Sequence, residues 1–65
     1  MAEQSRGEQH ANRAREMLRQ GRLKEAEREL RAALASDPSR GDWMLQFGWT
    51  LEAIGRQDEA LQQYR

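Results

Sequence analysis

The chain of 65 residues has no cysteine, so no disulfide can staple it and no thiolate can hold a metal. Valine is missing as well, and the β-branched residues are reduced to Thr50 and Ile54, which leaves no strand signal. No apolar run approaches the roughly 20 residues that span a bilayer, and the opening MAEQSRGEQH lacks the apolar stretch of a secretory signal. A cytoplasmic protein without membrane contact is therefore expected. Eleven basic residues balance 11 acidic ones, and a net charge of zero argues against a nucleic-acid binder, which carries a basic excess. Lysine occurs once, as Lys24, against ten arginines, a bias that GC-rich bacterial coding produces and that also supplies planar forks for carboxylate or phosphate.

What remains is short and polar: 37% hydrophobic and 34% charged. A core built from fewer than roughly 70–80 residues rarely supplies more than about 3–5 kcal/mol. The apolar residues are nevertheless placed periodically. Ala11, Ala14, Met17 and Leu18 recur at steps of three and four within a helical stretch from about Glu8 to Gln20, which Gly21 ends. Leu23, Ala26, Leu30, Ala33 and Leu34 form one face of a second helix, stopped by Asp37-Pro38. Ser39 offers a cap, and Asp42 a first-turn carboxylate, for a third helix over about Gly41–Ile54. Gly55 is expected to end that helix, and a fourth starts near Gln57 or Asp58.

Shifting the chain by 34 residues exposes a repeat. Ser5-Arg6-Gly7 matches Ser39-Arg40-Gly41, Gly21-Arg22 matches Gly55-Arg56, and Glu25-Ala26 matches Glu59-Ala60. Ala14 faces Gly48 and Met17 faces Leu51. A fixed period with helix–turn–helix content is the mark of a stacked helical array. The pattern resembles the tetratricopeptide repeat. Met44, Phe47-Gly48, Leu51, Ala60 and Tyr64 fall at that family's steps in the second unit, and Ala26, Leu30, Ala33 and Pro38 in the first. His10 and Arg13 depart from it where large apolar residues are usual, which suits a solvent-facing end of a stack.

The resemblance implies an all-α fold of tandem antiparallel helix hairpins wound as a right-handed superhelix. About two repeats are expected: a flexible start over 1–6, a first unit over 7–40 and an incomplete second over 41–65. Stacking is expected to bury Met17, Leu23, Leu30 and Leu34 against Met44, Phe47 and Leu51. In that family the first helices of successive units line a concave groove that holds peptides. Here the corresponding residues are Glu8, Ala11, Asn12, Arg15 and Arg19, then Leu45, Gln46, Trp49, Glu52 and Ala53. Trp49 stands about 200° around the helix from Phe47 and so points away from the packing face. A tryptophan beside arginines is the composition of a binding hot spot.

No catalytic or metal-binding constellation accompanies it. His10 is the sole histidine, and no base stands near a hydroxyl that could be activated. Glu25 and Glu29 read as a solvated helix face paired with arginines. Arg40-Gly41-Asp42 spells an adhesion tripeptide that a helix start produces by chance. The expectation is a non-enzymatic scaffold module without cofactor or metal, part of a larger protein or assembly, that binds a protein or peptide. The alternative is a self-associating protein joined through its tryptophan-rich face and an open end at Ala60, Leu61 and Tyr64.

Overall fold

The computed structural model describes residues 5–63, which form three helices and, among the described residues, no strand: α1 (Arg6–Arg19), α2 (Leu23–Ser36) and α3 (Gly41–Gln63). Each of the first two boundaries has a local cause. The Ser5 side chain accepts the Glu8 backbone N–H at 3.1 Å, and the Glu8 carboxylate lies in the positive first turn. At the other end Gly21 takes φ 76°. The Arg22 N–H reaches the Met17 carbonyl at 2.8 Å and the Gly21 N–H reaches Leu18 at 3.0 Å. These paired bonds make a Schellman turn, which satisfies carbonyls that the helix end would orphan and reverses the chain within three residues. α2 stops at Asp37, extended at φ −145° before Pro38.

The α1–α2 hairpin is held by small residues. Ala11, Ala14, Ala26 and Ala33 are buried, and among the described residues Leu30 is the one large aliphatic side chain fully enclosed with them. With so little bulk between them, the backbones come close. His10 Nδ1 and Glu29 Oε2, 2.7 Å apart, tie the helices together at the edge. His10 is thus a half-buried bridge and Glu29 its partner, where the sequence suggested a solvent residue and a solvated helix face paired with arginines.

α3 closes the core from one side, chiefly against α2. Trp43 is 2% exposed and packs into the Ala11, Ala14, Leu30 and Ala33 cluster, with Leu34 and Phe47 at its border. Its ring lies against the backbone of Gly7, and the Arg40 guanidinium stacks over it at 4.0 Å. Thr50 is equally enclosed. Its hydroxyl donates to the Gln46 carbonyl at 2.7 Å, so a polar residue sits on the inner face without an orphaned donor.

The all-α hairpin architecture expected from the repeat is present, and three details differ from expectation. α3 runs straight through Gly55 to Gln63, so no turn separates a fourth helix. A mid-helix glycine costs only about 1 kcal/mol. That is a small penalty beside the burial a turn would need to recover, since everything from Gly55 to Gln63 is exposed. Ser39 does not cap α3: its hydroxyl and N–H both donate to Asp37 Oδ1, at 2.6 and 3.2 Å, which fixes the Asp37-Pro38-Ser39 turn. Finally, Met44 and Leu51 are exposed rather than buried. The inner arc is Trp43, Phe47, Thr50 and Ile54, and a residue one step along a helix lies about 100° away from it.

Candidate functional site

The face of α3 opposite Trp43 carries Gly41, Met44, Leu45, Gly48, Trp49 and Glu52. Together they line a shallow open groove of about 500 Å³. Met44, Leu45 and Trp49 are 52%, 55% and 61% exposed, with Leu51 on the flank. The floor is formed by glycines: a Cβ added at Gly41 or Gly48 would meet nothing within 4 Å. Large apolar side chains on both sides of a bare backbone strip leave room for another chain to lie close to the helix. Glu52 supplies a carboxylate at the rim, 3.8 Å from the Arg56 guanidinium.

Of the residues singled out in the sequence, Leu45, Trp49 and Glu52 lie together along this groove. Gln46 does not join them. It turns towards the inner arc, where its Oε1 is buried without a hydrogen-bond partner. Ala53 is half-buried on that side too. Asn12, Arg15 and Arg19 form a separate polar strip on α1 and do not line the groove. Arg15 donates to Asn12 Oδ1 at 2.7 Å, and Arg19 Nε donates to Glu16 Oε2 at 3.1 Å. That bond holds the Glu16 carboxyl below its ordinary pKa and raises the Arg19 guanidinium's. Glu8 is half-buried and Ala11 lies in the core. Ala60 and Leu61 are exposed on the last turns of α3, and Tyr64 lies outside the described residues.

Met44 and Gly41 belong to the groove and were not legible as such. Met44 reads as core in the repeat pattern, and only the inward placement of Trp43 reveals that its neighbour must face out. Among the described residues no group of three or more His, Asp or Glu side chains could hold a metal, and no helix is long and apolar enough to cross a membrane.

The family model for the bacterial transcriptional activator domain matches residues 1–65, the whole chain. The chain belongs to that family. It is a helical domain of transcriptional activators with a tetratricopeptide-like fold. No curated protein and no solved structure matches this chain.

Proposed function

We propose that this domain is a protein-docking module of a bacterial transcriptional activator, binding a peptide or partner protein along the outer face of α3 with Trp49 as the anchor. The observation that carries the reading is the cluster of exposed Met44, Leu45 and Trp49 around the open backbone of Gly48. Apolar side chains held in water on one face of a helix are a surface that recognition uses, and tryptophan leads the residues on which binding energy concentrates. Glu52 at the rim favours a partner that brings a basic group beside its apolar one. The α1 strip of Asn12, Arg15 and Arg19 occupies the places that Gln46, Trp49 and Ala53 hold one repeat later. A ligand long enough to cross from α3 would meet those polar groups.

Three further parts of the reading follow. The domain acts as a scaffold in the cytoplasm, within a larger assembly. It performs no catalysis, and DNA contact belongs to other parts of the activator, in keeping with zero net charge and with Arg19, Arg31 and Arg56 paired to carboxylates of their own helices. Selection from a random peptide library, followed by calorimetry on the chosen peptides, tests the reading. Trp49→Ala is expected to weaken binding by about 30-fold, the consequence of losing a hot spot of about 2 kcal/mol. Equal affinity for wild type and variant would refute the anchor, and tight binding of duplex DNA at physiological salt would refute the division of labour.

A further inference from the structure

The outer face of α3 has two unlike halves. From Gly41 to Trp49 the groove is apolar, and beyond Trp49 the helix turns acidic. Leu45, Glu52 and Glu59 follow one another at steps of seven residues. Two helical turns take about 7.2 residues, so the three share one stripe, with about 10 Å between successive members. All three are exposed.

The charges along that helix are unevenly compensated. α3 carries four carboxylates, Asp42, Glu52, Asp58 and Glu59, against one base, Arg56. At its start Arg40 neutralises Asp42 through two hydrogen bonds, at 3.1 and 3.0 Å. Towards its end Asp58 and Glu59 have no ion-pair partner among the described residues. Arg56 stands between Glu52 and Glu59, four residues after the first and three before the second. It holds Glu52 loosely, at 3.8 Å, with the guanidinium 81% and the carboxylate 68% exposed. The other ion pairs among the described residues are all 3.3 Å or shorter.

We propose that the partner of this face is an amphipathic segment with a basic end. Its apolar residues lie over Leu45 and Trp49, and two lysines or arginines lie over Glu52 and Glu59. Arg56 is the internal cation that the partner's first basic group displaces from Glu52. The inference rests on the partner-docking reading and adds the partner's chemistry and its direction along α3. It also makes the exposed end of α3 part of the receiving surface. The two basic groups stand about 10 Å apart, which is seven residues of a helix or three of an extended strand. Charges at a rim add little affinity, but they fix register and exclude partners of the wrong sign. A second copy is a poorer occupant, because a twofold contact through this face would set Glu52 and Glu59 against their own counterparts.

Calorimetry on a peptide selected from a random library against the wild-type domain, at about 50 and about 500 mM salt, tests the inference. At low salt Glu59→Gln is expected to weaken binding about two- to three-fold and Arg56→Gln to strengthen it about two-fold, the worth of one surface ion pair each. Both effects should fade at high salt, where the screening length is about 4 Å. Replacing the peptide's basic residues with glutamine should abolish them too. Selected peptides without a basic pair, or an affinity that ignores both charge variants, would overturn the inference. Trp49→Ala keeps the two readings apart. A peptide that needs Trp49 but ignores the charge variants strikes this inference alone, and one that answers to charge but ignores Trp49→Ala strikes the anchor alone. Self-association of the domain that Trp49→Ala abolishes would put a second copy on the face and overturn the inference as well.

Discussion

Gly7 and Gly48 make opposite demands on the same substitution. A Cβ at Gly7 would lie 2.8 Å from Trp43 Cη2, 2.9 Å from Cζ3 and 3.2 Å from Ser36 Oγ. The indole cannot step aside easily, because it is 2% exposed and lies beneath Arg40. Forcing a methyl group into a filled site costs about 1–3 kcal/mol. Alanine's helical preference returns up to about 1 kcal/mol, and less at the start of a helix such as this. Gly7→Ala should therefore lose about 1–2 kcal/mol net. A domain of this size loses about 4–8 °C per kcal/mol, so the melting midpoint should fall by roughly 4–16 °C. Gly48→Ala meets nothing within 4 Å, gains about 0.5–1 kcal/mol and should melt higher. Thermal unfolding followed by circular dichroism at 222 nm reads both. Should Gly7→Ala melt at or above wild type, Trp43 does not close the core as described.

Trp43→Ala removes the largest core side chain. A loss of about 3–5 kcal/mol matches the whole stability of a chain this short, so the variant should show little cooperative melting at 25 °C. Gln46→Leu replaces a buried acceptor that has no partner and should leave stability unchanged or raise the midpoint; a clear fall would show that the amide is satisfied by water. Acid should destabilise the Asp37 turn. The Ser39 hydroxyl, and secondly its N–H, hold the Asp37 carboxyl below its ordinary pKa. A carboxyl lowered in the folded state stabilises above the unfolded value, about 3.9, and loses that contribution as pH falls through the lowered one. Melting midpoints between pH 6 and 2 should drop less steeply for Asp37→Asn than for wild type. Some slope should remain, because Arg19 and Arg40 lower Glu16 and Asp42 in the same direction.

The first hairpin was legible because its signals are local and agree with one another. Gly21 after an amphipathic run, and Asp37 before Pro38, each permit little else. The second unit repeats the letters without repeating the surroundings. Ser5 caps α1, but the identical Ser39 has Asp37 two residues before it and bonds there instead. Gly21 turns because α2 follows to bury its face on α1, whereas the segment after Gly55 remains exposed and stays helical. The rotation of α3 depends on Gly7, whose missing side chain admits Trp43, and a pattern of apolar residues does not record a space on another helix. Trp49 was legible as outward-facing because helical geometry alone separates it from Phe47, and Leu45 through the family resemblance. Their neighbour Met44 was not.

The two tryptophans report on opposite sides of one helix, Trp43 enclosed and Trp49 in water. Following both indole N–H resonances by ¹⁵N-edited NMR during titration with a library-selected peptide tests the docking face directly. The Trp49 resonance should move progressively and saturably while the Trp43 resonance stays in place. Binding that leaves Trp49 unmoved, or that shifts Trp43 alone, would contradict the account.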